Sequence, residues 1–345
     1  MNRGFWDKLP KPFFALAPMA DVTDAVFRRV VAECNRLTPA KKAGPDVMFT
    51  EFVAADGLMH PVGRKKLLID LEYNEIERPI VAQIWSGKPE NIEGAAKLVR
   101  DLGFDGLDIN MGCPDRGVEK QGGGAGLIRQ HDLAREIIEA ATKGADPLPV
   151  SVKTRIGYNK IDFEWLKMLM SSGIAALTLH LRTRKEMSKV PAHWELFGQL
   201  RGRVPVLTPS DIGYADMTSR RGPDSTTKLA SSYIIGNGDV LDLADAREKA
   251  VRFGADGVML GRAIFGNPWL FSKRGKPEWS EVFSVMIYHS RLFEEIYAGV
   301  KSFALMRKFF GAYVSGHPQA STLRDSLMKC NNAREVEVVL GPMML

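Results

Sequence analysis

Short apolar runs alternate with amphipathic segments along most of this chain. Several runs are apolar at consecutive positions, as strands buried on both faces must be. The segments between them show helical spacing, and two of them, 88–103 and 131–144, end at glycine, which is a common helix stop. The strand-like runs are FFALAPM, DVMFTEFV, PIVAQIW, GLDINMG, PVSVKTR, ALTLHLR, YIIGNGD and GVMLGRA.

This alternation predicts an α/β fold, a (β/α)8 TIM barrel. A doubly wound sheet fits less well, because the first turn, APMADVTDA, lacks a glycine fingerprint. From about residue 281 only helical periodicity remains, so we predict a barrel domain at 1–274 and a C-terminal all-helical domain at 275–345. A polar segment at 209–232 interrupts the pattern, and we interpret it as an excursion before the seventh strand.

The composition is that of an ordinary soluble globular protein. The 345 residues are 45% hydrophobic and 26% charged, and no apolar run reaches the roughly 18 residues of a membrane span. The N-terminal apolar patch is short and broken by Pro12 and Pro18, so it predicts a strand and not a signal peptide. Cys34, Cys113 and Cys330 show no metal-binding spacing, and so few cysteines fit a reducing cytoplasm. The net charge of +6 is compatible with a polyanionic partner without requiring one.

Polar side chains cluster where the predicted strands end, which is the face that carries the active site in such barrels. Cys113 is the most distinctive of them, since it follows a strand directly and precedes Pro114. A lone cysteine is more often a buried apolar residue. At this position a nucleophile or a proton donor is favoured, and a thiol with a pKa of about 8.5 is protonated at neutral pH.

Two further features of this face suggest binding of an anion. Lys153 ends the fifth strand inside the predicted barrel mouth, where a buried amine needs a negative partner, either a ligand or a salt bridge. Glycines and charged residues follow the seventh and eighth strands, where many barrels bind phosphate. The glycine cluster 122–126 lacks the Gly-Lys-Ser/Thr of a phosphate loop. We predict that it is a flexible lid, with a purely structural role as the equal alternative.

Seven motifs in order make the chain resemble the tRNA-dihydrouridine synthase family. They are APMADVTD, VAQIWSG, DINMGCPDRGVEKQGGGAGLI, VSVKTRIGY, LHLRTR, IIGNGDV and GVMLGRAIFGNPWLF, and the helical tail with MRKFFGAYVSG resembles that family's C-terminal domain. The resemblance implies FMN-dependent, NADPH-driven reduction of specific uridines in tRNA to 5,6-dihydrouridine. We expect a cytoplasmic monomer without metal or membrane attachment.

The resemblance also implies roles for individual residues. Cys113 would give a proton to uracil carbon 5 while reduced flavin gives a hydride to carbon 6. The residues expected to bind tRNA or its uracil are Asn110, Arg182, Arg184, Arg307 and Lys308. Those expected to bind FMN are Pro18, Met19, Gln83, Lys153, His180, Asn237, Gly238, Asp239, Gly261 and Arg262.

One residue departs from the family's pattern. The family reads His-Gly-Arg-Thr after the sixth strand, whereas Leu181 stands here in place of the glycine, which puts the role of Arg182 in doubt. Three other functions remain open. They are a reductase of free pyrimidines, an RNA-binding protein without catalysis, and a flavin-free lyase that uses Lys153 as a Schiff base.

Overall fold

The computed structural model describes residues 2–36, 44–200, 232–272 and 277–344. It contains one sheet of eight parallel strands in the order β1-β8-β7-β6-β5-β4-β3-β2. The two end strands meet at a parallel bridge between Ala15 and Val47, which closes the barrel. The strands are β1 (Phe13–Leu16), β2 (Met48–Ala54), β3 (Ile80–Trp85), β4 (Gly106–Met111), β5 (Val150–Arg155), β6 (Ala176–His180), β7 (Tyr233–Asn237) and β8 (Gly257–Leu260).

Thirteen α-helices lie within the described residues, and the last four form the C-terminal helical region. The predicted TIM barrel with a helical C-terminal region is therefore confirmed. The helices are α1 (Ala25–Arg36), α2 (Ala55–Met59), α3 (Pro61–Leu67), α4 (Pro89–Asp101), α5 (Arg116–Lys120), α6 (His131–Ala145), α7 (Phe163–Ser171), α8 (Trp194–Leu200), α9 (Leu243–Phe253), α10 (Trp279–Tyr297), α11 (Arg307–Tyr313), α12 (Ala320–Leu327) and α13 (Ala333–Leu340).

An aromatic plug closes the amino-terminal end of the barrel. Trp6, on a short 3-10 helix at Gly4–Lys8, is fully buried among residues at the starts of the strands. Its ring centroid lies 5.6 Å from that of Phe13 on β1 and 6.5 Å from that of Phe49 on β2. Because this end is filled with aromatic rings, the polar side chains inside the barrel lie towards the opposite end.

The C-terminal region is joined to the barrel at the start of α1. Asp24 accepts the backbone N–H of Phe27 at 2.8 Å, which satisfies one of the free donors of the first turn. The hydroxyl of Tyr297, at the end of α10, accepts the N–H of Ala25 at 3.1 Å. The rings of Phe27 and Phe309 lie 4.9 Å apart. The loop between β1 and α1 is thus positioned partly by the C-terminal helices.

Some predictions fall outside the described residues. Nearly all of the 209–232 segment does, and so does the predicted domain boundary between residues 274 and 275. The boundary remains a prediction.

Candidate active site

The strand register aligns polar side chains at the carboxyl ends of β4 to β7. Asn110 is paired with Lys153, Arg155 with His180, and His180 with Asn237. Paired residues on parallel strands face the same side of the sheet. The sequence therefore brings together in space groups that are far apart along the chain.

A cavity of about 640 Å³ opens at this end of the barrel. This volume is typical of a cofactor site. Every residue expected to bind FMN lines it except Gln83. The lining residues are Ala17, Pro18, Met19, Lys153, His180, Arg182, Asn237, Gly238, Asp239, Val240, Leu241, Met259, Gly261, Arg262 and Ala263.

Gln83 lies deeper and belongs to a buried hydrogen-bond network. Its amide nitrogen donates to Asp108 Oδ2 at 2.6 Å, and its oxygen accepts from Asn110 Nδ2 at 2.9 Å. The hydroxyl of Ser151 donates to the other carboxylate oxygen of Asp108 at 2.6 Å. Burial raises the pKa of Asp108 to about 6 despite these bonds. The sequence analysis did not single out Asp108, although it lies within the motif DINMG.

Lys153 and His180 are two titratable side chains that line the cavity. Burial lowers the pKa of Lys153 to about 8, and the nearby positive charge of Arg155 lowers it further. None of the residues that the structure describes forms a salt bridge with Lys153, although the nearby carboxylate of Asp108 acts to raise its pKa. Burial also lowers the pKa of His180 far below its usual value. Within the described parts of the chain, no group bonds its buried Nδ1.

Arg182 occupies the part of the cavity where phosphate was expected. Its side chain is almost fully buried, and Nη2 pairs with Asp239. Its Nη1 is buried without a partner among the described residues. Arg262 approaches the other oxygen of Asp239 at 3.4 Å and is mostly exposed. Arg182 was expected to bind tRNA or its uracil, and the structure places it, buried, in the wall of this cavity.

Leu181 fits its position as a buried strand extension. Its N–H donates to the carbonyl of Asn237 at 2.9 Å, and its own carbonyl accepts from His193 at 2.8 Å. Its φ is not positive, so glycine is not required there. The departure from the family's pattern therefore leaves the β6–β7 pairing regular.

Cys113 lies half-buried on the loop after β4. Burial raises the pKa of its thiol, and the backbone N–H of Asp115 opposes this shift. The side-chain oxygen of Asn110 accepts the N–H groups of Gly112 at 3.1 Å and of Cys113 at 2.9 Å. Asn110 thus shapes the turn that presents the thiol.

Two of the glycines after Cys113, Gly123 and Gly124, are closely packed, which favours the structural alternative over the flexible lid. They begin a buried 3-10 helix at Gly124–Arg129. A Cβ on Gly123 would lie 2.5 Å from the ring of Trp85, and one on Gly124 would lie 2.6 Å from the carbonyl oxygen of Cys113. Gly124 also has a φ of +57°. Glycine is needed here because neighbouring groups leave no room for a side chain.

Arg155 is a site residue that the sequence analysis missed. Its Nε donates to the carbonyl of Gly112 at 3.0 Å, and its Nη1 donates to the carbonyls of Thr183 at 3.2 Å and Met187 at 3.1 Å. Burial lowers its pKa to about 10. Its place two residues after Lys153, on the same face of β5, could have revealed it.

The basic residues expected to contact tRNA lie on separate elements, the loop after β6 and the helix α11. Arg184 pairs with Glu119 at 2.6 Å on the loop after β6. Arg307 donates to the side-chain oxygen of Asn331 at 3.0 Å within the C-terminal helices. Lys308 is half-buried, and burial lowers its pKa while nearby carboxylates, Asp21 first among them, oppose the shift.

A (β/α)8 barrel with a polar cavity at the carboxyl ends of its strands defines this chain as a barrel enzyme. A model of the dihydrouridine synthase family matches residues 15–210 and 227–342. The chain belongs to the dihydrouridine synthase family. The unmatched residues 211–226 fall within the polar segment at 209–232.

Relatives of known name agree with this assignment. A Staphylococcus aureus (strain COL) protein named "Probable tRNA-dihydrouridine synthase" is 41% identical over 344 residues, 99% of this chain and 95% of the relative. Bacillus subtilis (strain 168) "Probable tRNA-dihydrouridine synthase 2" is 40% identical over 99% of this chain and 96% of its own. A 2-naphthoyl-CoA reductase structure shares the fold, with a TM-score of 0.51 and 12% identity over 74% of this chain and 49% of that one.

In the described part of the chain, no helix is long and apolar enough to cross a membrane. Over the same residues, no group of three or more histidine, cysteine, aspartate or glutamate side chains is placed to hold a metal ion.

Proposed function

We propose that this protein reduces specific uridines in tRNA to 5,6-dihydrouridine, with FMN as cofactor and NADPH as electron donor. The observation that carries the proposal is the cavity at the barrel mouth, lined by Lys153 and His180, with the half-buried Cys113 close enough to Lys153 for their charges to interact. Family membership and the names of the relatives support the same reaction.

The cavity fits FMN by two independent features. Two buried polar atoms on its lining residues, Nη1 of Arg182 and Nδ1 of His180, have no partner among the described residues, and leaving such atoms unpaired is costly. An anionic group held by Arg182, Arg262 and the backbone of Gly238 would satisfy the first. The flavin ring would lie against Met19, Lys153 and His180, and the cation of Lys153 would face the negative charge of the reduced ring.

Bound FMN supplies a hydride for uracil carbon 6, and the protein supplies the proton for carbon 5. Because burial raises the pKa of Cys113, its thiol keeps its proton at neutral pH and serves as the acid. Asn110 uses its oxygen for the Cys113 turn and one amide hydrogen for Gln83. Its second amide hydrogen is available for a uracil oxygen.

The uridine must leave its stack to reach this cavity, which costs roughly a few kcal/mol. We assign binding of the rest of the tRNA to the proposed helical domain at 275–345 and keep Arg307 and Lys308 as candidate contacts. Since Lys308 already faces Asp21, we expect the larger contribution from Arg307.

The test is the dihydrouridine content, position by position, of unmodified tRNA after incubation with the purified yellow protein and NADPH. Product at one or a few positions, absent without NADPH, supports the proposal. No product from tRNA, together with reduction of free uracil by the same NADPH-reducible protein, would establish the alternative of a free-pyrimidine reductase. A colourless protein would contradict the assignment of FMN.

A further inference from the structure

The backbone around Cys113 is held at three consecutive carbonyl groups. The carbonyl of Gly112 accepts from Arg155 Nε at 3.0 Å, and that of Cys113 accepts from the N–H of Ala125 at 2.9 Å. The carbonyl of Pro114 accepts from Arg184 Nη2 at 3.1 Å. The first bond comes from the end of β5 and the third from the loop after β6, so both are donated by segments far from the Cys113 loop in sequence.

Arg184 is itself oriented by a second set of contacts. Its Nε pairs with Glu119 Oε1 at 2.6 Å, and the hydroxyl of Tyr158 donates to Glu119 Oε2 at 2.9 Å. The guanidinium lies 5.7 Å from the centre of the Tyr158 ring. The side chains of Arg184 and Glu119 are only 22% and 11% exposed, so water screens this pair less than it screens an ordinary surface pair.

We propose that Arg184 and Glu119 act as a positioning pair that holds the Cys113 thiol at the cavity mouth through the carbonyl of Pro114. The pair links the loop after β6 to the segment after Cys113, and Arg184 serves this purpose in place of the tRNA contact expected from the sequence. The inference rests on the proposed function, because the thiol matters for rate only where Cys113 is the acid.

Pro114 transmits this constraint on its carbonyl to the backbone of Cys113. The ring of Pro114 fixes its own φ and restricts the backbone of the residue before it, which is Cys113. Fixing the carbonyl of Pro114 therefore limits the positions open to the thiol as well. A displacement of a reacting group by about 1 Å can cost up to roughly 100-fold in rate.

The experiment compares Glu119→Gln, Arg184→Met and the double variant with Arg129→Met as the matched control. Arg129 is an exposed arginine that lies over the same Tyr158 ring, at 4.1 Å, and no described bond joins it to the Cys113 loop. We expect kcat for tRNA reduction to fall about 10-fold in either single variant, and no further in the double variant, because both act through one contact. KM for tRNA and its salt dependence should stay unchanged, as should flavin reduction by NADPH.

A phosphate contact at Arg184 would give the opposite pattern. Arg184→Met would then raise KM and lower the salt slope by about one, whereas Glu119→Gln would leave kcat unchanged. That result would overturn the proposal.

A readout independent of tRNA keeps this inference separate from the proposed function. The rate at which iodoacetamide alkylates Cys113, followed by peptide mass spectrometry with Cys34 as the internal reference, should rise in Glu119→Gln and Arg184→Met but not in Arg129→Met. If the wild-type protein makes no dihydrouridine while these rates change as expected, the proposed function fails and the positioning pair stands. If dihydrouridine forms and neither kcat nor alkylation changes, the positioning pair is refuted and the proposed function stands.

Discussion

Replacement of Cys113 by alanine isolates the proton-transfer step of the proposed reaction. The side chain is half-buried and accepts one hydrogen bond, from the backbone N–H of Asp115, while the turn around it is held by Asn110. Stability and FMN binding should therefore change little. A positioned general acid contributes about 10²- to 10⁴-fold to rate, so kcat should fall by that factor, equivalent to about 3–5 kcal/mol of barrier.

The assay separates the two half-reactions. Flavin reduction is followed by loss of yellow absorbance on adding NADPH, and reoxidation is followed on adding tRNA to the reduced protein without oxygen. Only the second step should slow in Cys113→Ala, and Cys34→Ala is the matched control. In the wild-type protein the second step should lose rate only as pH rises through the raised pKa of Cys113, because the acid must be protonated. Equal reoxidation by wild type and Cys113→Ala would refute the assignment of the acid.

Three further predictions concern stability and packing. Glu77→Gln should lower the free energy of unfolding, measured by urea titration, by about 3–5 kcal/mol. The reason is that the fully buried Arg28, 2.6 Å from Glu77, would lose its counter-charge. A loss below about 1 kcal/mol would contradict this prediction. Burial raises the pKa of Glu51 to about 7 in the folded protein. Ionisation of Glu51 therefore lowers the free energy of unfolding increasingly as the pH rises from its pKa in the unfolded chain towards 7. Glu51→Gln should flatten the dependence of stability on pH in this range, whereas Glu75→Gln, at an exposed site, should not. Gly124→Ala should be strained at a φ of +57° and displace the Cys113 carbonyl, lowering both the melting temperature and kcat, whereas Gly126→Ala, whose Cβ meets nothing closer than 3.6 Å, should be tolerated.

The barrel could be predicted because each strand and helix is marked by the pattern of residues within its own segment of the chain. Each buried parallel strand is an apolar run with a polar residue at or near its end, so Lys153, His180 and Asn237 could be placed at the mouth from the pattern, whereas their roles came from the family resemblance. Lys153 was expected to end β5, but the strand continues to Arg155. The convergence of Lys153, His180 and Asn237 in one cavity follows from the closed, in-register sheet.

The hydrogen-bond and salt-bridge partners of the site residues were harder to predict than the places of those residues along the strands. Sequence shows that Arg182 is charged, but its burial depends on Asp239, which lies 57 residues later and approaches only through the β6–β7 pairing. The same reason explains Arg184, whose partners Glu119 and Pro114 come from the loop after β4. The glycine cluster left two roles open because conformational freedom and lack of space both select glycine, and only the close contacts of Gly123 and Gly124 favour the second.

The plug of Trp6 and Phe13 gives the proposed reaction a definite order of events. Because aromatic rings fill the amino-terminal end of the barrel, the described residues leave the cavity open at the carboxyl end, and in the proposed reaction both the nicotinamide and the uracil would approach the flavin from that end. Two bulky reactants cannot occupy one face of the flavin together. Oxidised nicotinamide must then depart before the flipped nucleotide enters, and steady-state kinetics with both substrates varied should show the parallel lines of a double-displacement scheme.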